Sequence, residues 1–360
     1  MEPTETRAET NEADRFLADL RRGADDFRQT HISWLIFRKD HVYKIKKPVC
    51  FGFLDFRTRG ARKKACEAEV VLNQRLSPSV YLRVVAVVRS HDGRYRIHDG
   101  TSATEIDGEI VDYAVHMRRL ADDDAADRRL ARGSLTHEHL DDLGRKLAEF
   151  HQRARSDDVV AAFGAPETVR RNVVENFEQT RKSAPSYLPV NDLAEIEHFQ
   201  LGFLDRNASL LSARAAKGRV RDGHGDLRLE HVYVGRDSLD VIDCIEFNER
   251  FRFADVCADI AFLSMDIVWH EREDLAQTFL ASYARHSQDY ELFRLIDFYQ
   301  SYRAYVRGKV GTLTLETAAL TSNARARLAE DVRKHYLLAL ACARPSLQRP
   351  VLCAVGGVVA

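Results

Sequence analysis

Two aspartates and a histidine flank a short pair of predicted strands. The strands are Val232–Val234 and Leu239–Ile242, and a Gly-Arg-Asp-Ser turn joins them. Because antiparallel strands place the residue before the first strand beside the residue after the second, we expect His231 and Asp243 to be neighbours. Asp226 lies on the loop that leads into the first strand and should reach the same strand end. This convergence suits phosphoryl transfer, in which one carboxylate accepts the proton of the attacking hydroxyl and another holds magnesium against the phosphates.

The same two aspartates have a simpler interpretation. Asp226 and Asp243 both adjoin turns, and aspartate frequently caps a turn through hydrogen bonds to nearby backbone N–H groups. On spacing alone, turn capping and phosphoryl-transfer chemistry both remain open.

The first part of the chain is rich in strand patterns. ISWLIF and VYKIKKPV, separated by the polar turn RKDH, indicate a β-hairpin, and YLRVVAVVRS, YRIHD and EIVDYAVHMRRL indicate further strands. Between them, residues 60–76 have apolar side chains at helical spacing. We therefore predict a small β-rich N-terminal lobe over residues 26–118. Residues 1–25 are predicted to form a flexible tail with a short helix around Phe16–Leu20.

From about Leu120 the pattern becomes helical, and residues 119–345 are predicted to form a larger helical lobe that the hairpin interrupts. In LDDLGRKLAEFHQRA, for example, the leucines and the phenylalanine share one helical face. Further helices are predicted at Pro166–Lys182, Leu193–Lys217, Ala254–Trp269, Arg272–His286, Tyr290–Gly308 and Thr314–Leu340.

Composition excludes several classes of protein. The chain has 54 Lys and Arg against 55 Asp and Glu, so it lacks the positive charge that binding to a nucleic-acid backbone requires. No apolar run is long enough to cross a membrane and no secretion signal is present, which favours a cytoplasmic protein. The six cysteines form no CxxC pair and are predicted to be buried thiols: Cys50, Cys66, Cys244, Cys257, Cys342 and Cys353.

The hairpin region carries a family resemblance. HGDLRLEH followed by VIDCIEF resembles the catalytic segment of the aminoglycoside and choline phosphotransferases. The resemblance implies an α+β, two-lobed protein-kinase-like fold, with Asp226 as catalytic base, Asp243 as magnesium ligand and His224 as a support of the loop. ADVCADIAFL resembles a later helix of the family, which implies that Asp259 is buried and braces the catalytic loop.

The chain departs from the family at one metal position, where His231 replaces an asparagine. A neutral imidazole is a poor magnesium ligand. Three interpretations therefore stay open: His231 binds the metal all the same, His231 binds a phosphate oxygen, or the adjacent Glu230 supplies an oxygen to the metal. Arg228 is a candidate for gripping the acceptor, and a salt bridge that stiffens the loop is an equal alternative. The HGDLR-x-EH form resembles more closely a bacterial, bifunctional subgroup in which a P-loop ATPase domain follows the kinase-like part.

Two lysines in VYKIKK are candidates for the lysine that binds the α- and β-phosphates of ATP in kinase-like folds. Lys44 and Lys46 lie on one face of a strand, and Lys44 is preferred. Glu69 on the following helix is the expected counter-charge, with Glu67 as the alternative. Lysines also protect exposed edge strands from aggregation, an interpretation that remains open chiefly for Lys46.

The expected nucleotide site lacks a glycine-rich loop, because the turn RKDH contains no glycine. This argues against a protein substrate and leaves Ser33 or nearby backbone amides to contact phosphates. The connector between lobes is placed at Tyr113–Met117, where backbone groups of Val115 and Met117 would bind the adenine.

Residues 346–360, RPVLCAVGGVVA with its preceding residues, are interpreted as a remnant strand leading toward an absent P-loop domain. The alternative is a final strand of the same fold. No Walker motif occurs in the sequence.

Taken together, the residues predict an ATP- and Mg²⁺-dependent phosphotransferase that acts on a hydroxyl of a small molecule. A nucleotide-binding pseudokinase or regulatory module is the alternative, and a helical binding protein with accidental motifs is a third. The acidic residues Asp122, Asp123, Asp124 and Asp127 either line an entrance for a cationic acceptor or begin a solvated helix.

Overall fold

A computed structural model describes residues 4–52, 54–100, 106–318 and 320–344. The predicted remnant strand at 346–360 and Cys353 lie outside the described residues. The chain divides into two compact units: Met1–Leu135 with Leu229–Arg252, and Thr136–Arg228 with Phe253–Ala360. The first unit is built on a β-sheet and the second on helices, so the predicted α+β class is confirmed. The predicted lobe boundary at residues 118 and 119 differs, since the hairpin belongs to the β-rich unit.

The β-rich unit contains an antiparallel sheet and α-helices ahead of the hairpin. Its elements up to residue 131 are α1 (Thr4–Leu20), β1 (Asp26–Gln29), β2 (Ser33–Arg38), β3 (His41–Lys46), β4 (Cys50–Phe51), β5 (Leu54–Asp55), α2 (Arg59–Asn73), β6 (Tyr81–Arg89), β7 (Tyr95–His98), β8 (Glu109–Arg118) and α3 (Ala126–Ala131). Six of the strands form one sheet in the order β1-β2-β3-β8-β6-β7. The two short strands β4 and β5 form a separate pair.

Alternation along β3 sends its side chains to two different cores. Val42 packs with residues of α2 and β8, whereas Tyr43 and Ile45 join a cluster on the opposite face. Lys44 and Lys46 share the face of Val42, so the strand period directs both ammonium groups toward α2.

The N-terminal segment is not a loose tail. Helix α1 runs from Thr4 to Leu20, much longer than the short helix predicted at its end. Leu20 is fully buried, and the ring of Phe16 lies 5.2 Å from that of Tyr95. Burial of these apolar side chains against the sheet explains why a polar, acidic sequence is ordered as a helix.

The hairpin that carries the site belongs to the same unit. Strands β10 (Val232–Val234) and β11 (Leu239–Val241) pair antiparallel, with Val232 opposite Val241. The N–H of Ile242 donates to the carbonyl of His231 at 2.9 Å and extends the pairing. Helix α8 (Glu249–Arg252) ends this segment.

The helical unit contains most of the predicted helices. Its elements are α4 (His137–Arg153), α5 (Asp158–Ala161), α6 (Pro166–Thr180), α7 (Val190–Ala216), β9 (Val220–Asp222), β12 (Phe253–Asp255), α9 (Val256–Trp269), α10 (Glu273–Ser287), α11 (Ile296–Thr317) and α12 (Ser322–Ala343). The largest difference from prediction is that α11 continues to Thr317 and α12 begins at Ser322, where Thr321 accepts a hydrogen bond from the N–H of Ala324.

A fully buried arginine ties α7 to the start of α9. Arg214 donates to both carboxylate oxygens of Asp255, at 2.7 and 2.8 Å, and to both of Asp289, at 2.8 Å each. Asp255 also caps α9 by accepting a hydrogen bond from the N–H of Cys257. These paired charges offset the cost of burying a guanidinium.

The cysteine prediction is largely confirmed. Cys66, Cys244, Cys257 and Cys342 are buried free thiols. Cys50 is exposed, contrary to the prediction, because it lies on the short β4 rather than in the main sheet.

Candidate functional site

Lys44 lies between two carboxylates. Its Nζ is 2.8 Å from Oε1 of Glu69 on α2 and 2.5 Å from Oδ1 of Asp243, which follows the hairpin. The Lys44 side chain is 10 % exposed, in contrast to Lys46 on the same strand, which is not exposed at all. Burial opposes its charge, but Asp243 and Glu69 outweigh burial and hold the pKa of Lys44 well above its ordinary value.

Lys46 is paired in the same way but is completely enclosed. Its Nζ lies 2.5 Å from Oε2 of Glu69 and also contacts Oε1 of Glu246. Neither the Lys46 nor the Glu69 side chain is exposed. The expected counter-charge is therefore Glu69, whereas Glu67 pairs with Lys63 on the exposed face of α2. The edge-strand interpretation is excluded, because β3 lies between β2 and β8 within the sheet.

Burial and neighbouring charges act in opposite directions on these carboxylates. Burial favours the neutral form of Glu69, but Lys44 and Lys46 outweigh it and lower the pKa of Glu69. For Glu246 burial dominates over the attraction of Lys46, and its pKa is raised.

Asp243 is positioned by hydrogen bonds on either side of it in the chain. Its own N–H donates to the phenolic oxygen of Tyr81 at 3.1 Å, and the N–H of Cys244 donates to Oδ1 of Asn73 at 2.8 Å. Two residues earlier, at the end of β11, the N–H of Val241 donates to the hydroxyl of Ser77 at 2.8 Å. Hydrogen bonds therefore hold the segment after β11 against β6 and against the end of α2.

The predicted proximity of His231 and Asp243 is confirmed. Nε2 of His231 lies 3.7 Å from Oδ2 of Asp243 and 4.0 Å from Oε1 of Glu230. Burial opposes ionisation of Asp243, but the charges of Lys44 and His231 outweigh it and hold the pKa of Asp243 well below its usual range.

The donor set at Asp243 fits magnesium. The Asp243 side chain is 43 % exposed and ionised, and a carboxylate oxygen is the ligand that magnesium prefers. Magnesium commonly uses only one or two carboxylates, with water and phosphate oxygens as its other ligands. Among the described residues, no group of three or more His, Cys, Asp or Glu side chains could hold a metal ion on protein ligands alone. Asp243 would thus supply one carboxylate ligand, a number that is common in magnesium sites.

In the helical unit, Asp259 holds the loop of the HGD motif. Its carboxylate accepts from the N–H of His224 at 2.6 Å and from the N–H of Gly225 at 2.9 Å. Nε2 of His151 lies 3.4 Å from the same carboxylate, and Nδ1 of that histidine lies 2.9 Å from the hydroxyl of Tyr283. Burial opposes ionisation of Asp259, but the hydrogen bond and charge of His151 help to lower its pKa well below the ordinary value. Asp259 therefore contacts the loop as the sequence predicted.

The rest of the loop is held locally. His224 is fully buried, and its Nδ1 accepts from the N–H of Asp226 at 3.3 Å. Gly225 has φ +88°, a left-handed conformation that glycine adopts without strain. Arg228 donates to both carboxylate oxygens of Asp226, at 3.1 and 3.0 Å. Of the two alternatives for Arg228, the structure contains the loop-stiffening salt bridge.

Asp226 and the pair His231–Asp243 belong to different units. Their predicted convergence therefore stays a prediction, as does a role for Arg228 in acceptor binding.

The placement of the connector at Tyr113–Met117 is wrong. Strand β8 continues to Arg118 and pairs with β3 and β6, with Val115 opposite both Lys44 and Val84. The backbone of Val115 is thus used inside the sheet, and its side chain is fully buried. Met117 lies near the end of β8, and adenine binding by Val115 and Met117 remains an untested prediction.

The acidic residues that follow β8 form ion pairs with arginines. Both oxygens of Asp122 accept from Arg28, at 3.1 and 2.6 Å, and Asp124 accepts from Arg129 at 3.1 Å. These ion pairs favour the interpretation as the start of a solvated helix over that as an entrance for a cationic acceptor.

Two contributors were missed by sequence reasoning. Tyr81 supplies the hydroxyl that receives the N–H of Asp243, and Glu246 supplies the second carboxylate around Lys46. The charged Glu246 within the apolar run VIDCIEF was a signal that could have indicated a buried partner for a lysine.

Solved structures resemble this chain over most of its length. The GDP complex of aminoglycoside 2′-phosphotransferase-IIIa matches with a TM-score of 0.50 and 13 % identity, covering 93 % of this chain and 99 % of that one. The chain has a kinase-like fold. An ethanolamine kinase of Plasmodium vivax shares it with a TM-score of 0.50 and 9 % identity, over 87 % of this chain and 82 % of that one.

Sequence relatives of the kinase-like chain come from mycobacteria. Uncharacterised proteins of Mycobacterium tuberculosis and Mycobacterium bovis are 31 % identical to it over 314 residues, which is 87 % of this chain and 59 % of theirs. The chain thus spans about three-fifths of the length of the curated relatives it matches. No protein-family profile matches it. Within the described ranges, no helix combines the length and the apolar character needed to cross a bilayer.

Proposed function

We propose that this chain is a phosphotransferase that uses ATP and magnesium to phosphorylate a hydroxyl group of a small molecule. The observation that carries the proposal is the position of Lys44, which lies within 2.8 Å of Glu69 and 2.5 Å of Asp243. In protein kinases, a lysine paired with a helix glutamate and an aspartate that holds magnesium must both be in place for phosphoryl transfer, and the position of Lys44 supports the same arrangement here.

Each charged group has a part in this proposal. Lys44, aimed by Glu69, binds the α- and β-phosphates as a point charge. Asp243 holds magnesium, which when bound neutralises charge on the phosphates. Asp226 orients the acceptor hydroxyl and accepts its proton, and Asp259 keeps the backbone of the loop carrying Asp226 in place.

Arg228 has a defined part in the same proposal. Its bidentate hydrogen bonds fix the direction of the Asp226 carboxylate before the acceptor arrives. On binding of the acceptor, the guanidinium remains beside the base and limits its rotation. We propose that Arg228 orients the base and does not itself take the proton, because a guanidinium stays charged.

Two observations support a small-molecule acceptor. The solved structures that share the fold are an aminoglycoside phosphotransferase and an ethanolamine kinase, and the turn between β2 and β3 contains no glycine for covering a nucleotide in the manner of protein kinases. We therefore propose a small-molecule acceptor. We also propose a cytoplasmic location. The subgroup resemblance implies a P-loop ATPase domain, which we propose as the partner.

The test is magnesium-dependent ATP turnover over a panel of small hydroxyl acceptors, with Asp226→Asn and Asp243→Asn compared with the unaltered chain. Loss of the general base should reduce kcat by about 10²- to 10⁴-fold while nucleotide still binds. Asp243→Asn should weaken the magnesium dependence of nucleotide binding. Asp237→Asn, in the exposed turn of the hairpin, is the matched control and should leave all values unchanged.

One observation favours a second candidate, a nucleotide-binding regulatory module. His231, at 3.7 Å from Asp243, stands where the resembled family has a metal-binding amide. Magnesium-dependent ATP binding without turnover by any variant would select this candidate. Absence of ATP binding would refute both.

A further inference from the structure

A second buried lysine–glutamate pair lies beside the proposed phosphate lysine and has no part in the function above. The side chain of Lys46 is 0 % exposed and that of Glu246 is 4 % exposed. Kinase chemistry calls for one lysine–glutamate pair at the phosphates. Burying a second pair costs desolvation free energy that the attraction between its charges only partly returns, so its presence calls for an explanation.

The five charged groups form an unbranched chain. The order of contacts is Asp243, Lys44, Glu69, Lys46 and Glu246, with negative and positive charges alternating. Glu69 gives one carboxylate oxygen to each lysine, at 2.8 and 2.5 Å. A carboxylate held at both oxygens cannot rotate toward one lysine without leaving the other.

The two ends of this chain of contacts lie on one short segment. Asp243 and Glu246 are three positions apart, and the backbone between them is fixed by the N–H of Cys244 on Asn73 and by the carbonyl of Ile245, which accepts from Arg252 at 2.9 Å. Lys46 therefore connects α2, through Glu69, to the segment that carries Asp243. Since Lys46 is fully enclosed by protein, it is not placed to contact a phosphate.

We propose that Lys46 and Glu246 are positioning residues that set the direction of Lys44 and the location of Asp243 by fixing Glu69 and the segment after the hairpin. This inference rests on the proposed phosphotransferase function. It assigns the two lysines different tasks: Lys44 binds phosphate, and Lys46 holds the groups that aim Lys44.

The test is a double-mutant cycle made of Lys46→Met, Glu246→Leu and the double variant, with melting temperature, MgATP affinity by calorimetry, KM and kcat measured for each. Lys46→Met leaves Glu246 unpaired, and Glu246→Leu leaves Lys46 paired with Glu69 alone, so both single variants are expected to lower the melting temperature. The double variant removes both charges at similar volume but leaves Glu69 paired with Lys44 alone, so a smaller loss of melting temperature than that of Lys46→Met is expected. If positioning is the role, the double variant folds, its misplaced Lys44 and Asp243 bind MgATP more weakly, and kcat falls by about 10- to 100-fold.

Two further variants separate positioning from a general effect of losing a buried pair. Arg62 and Asp112 form another buried ion pair between α2 and β8, with Nε 2.9 Å from Oδ2. The matched double variant Arg62→Met with Asp112→Leu should keep the kcat of the unaltered chain. Glu246→Gln retains an oxygen for the Lys46 ammonium and should keep more of the kcat than Glu246→Ala.

The outcomes distinguish the two proposals. If the unaltered chain turns over ATP and the Lys46–Glu246 double variant keeps its kcat, the positioning role is refuted and the phosphotransferase stands. If the double variant binds MgATP more weakly while its kcat at saturating MgATP is unchanged, Lys46 binds phosphate directly and the inference is again wrong. If the unaltered chain binds no nucleotide, the proposed function fails and the positioning role fails with it.

Discussion

Replacing Asp259 tests whether this carboxylate holds the loop that carries Asp226 in place. Asp259 is buried and accepts hydrogen bonds from the N–H groups of His224 and Gly225, at 2.6 and 2.9 Å. Leaving one buried donor unsatisfied costs about 1–3 kcal/mol. Asp259→Asn keeps one oxygen acceptor and should lower the free energy of unfolding by about 1–3 kcal/mol, whereas Asp259→Ala removes both and should cost about 2–6 kcal/mol.

The assay is urea unfolding followed by circular dichroism, supported by thermal melts in which 1 kcal/mol corresponds to about 2–4 °C for a unit of this size. Asp142→Asn, on the exposed face of α4, is the control, because its ion pair with Arg145 is exposed and should contribute less than about 1 kcal/mol. If Asp259→Asn unfolds at the same urea concentration as the unaltered chain, the two hydrogen bonds do not brace the loop and the reasoning is refuted.

The same variant has a predicted pH dependence. The pKa of Asp259 is lower in the folded chain than in the unfolded one, so its stabilisation is fully present above the unfolded carboxyl pKa near 4 and is lost as pH falls through the folded value. The difference in unfolding free energy between the unaltered chain and Asp259→Asn should therefore be constant at neutral pH and shrink in acid. A difference that grew as the pH fell below about 4 would contradict the sign of this linkage.

Two other buried charges give clear predictions. Glu69→Gln leaves Lys44 and Lys46 without their shared counter-charge. It should lower the free energy of unfolding, measured in urea, by about 3–5 kcal/mol, and it should weaken nucleotide binding, measured by calorimetry. Glu67→Gln, on the exposed face of α2, is the control and should change neither value. Arg214→Met leaves the carboxylates of Asp255 and Asp289 buried without the cation that they share. The free energy of unfolding in urea should therefore fall by about 3–5 kcal/mol. A loss below about 1 kcal/mol would show that water solvates the two carboxylates and would contradict this expectation.

Those contacts of the candidate site that depend on the periodicity of a strand or helix could be predicted from the sequence, because the periodicity sets the face on which each side chain lies. Two positions along a strand return to the same face, so Lys44 and Lys46 had to point the same way, and helical spacing brought Glu69 rather than Glu67 toward the sheet. The hairpin likewise had to bring His231 beside Asp243.

The failures have a common physical cause, which is tertiary packing. The acidic composition of residues 1–25 indicated a tail, but burial of Leu20 against the sheet orders α1. Strand β8 pairs with β3 on one side and β6 on the other, and this pairing extends it to Arg118, through the predicted connector. Glu246 was missed because no local rule places a carboxylate opposite a lysine that is distant in sequence.

Asp243 adopts φ +66°, in the left-handed region that few residues with a Cβ atom occupy. Asparagine, aspartate and glycine tolerate this region best, and of these only aspartate carries a negative charge. Two independent requirements, one of backbone shape and one of charge, therefore meet at a single position. A change to asparagine or glycine would remove the charge that pairs with Lys44 while keeping this backbone conformation, so the ion pair at this position can be lost without straining the chain.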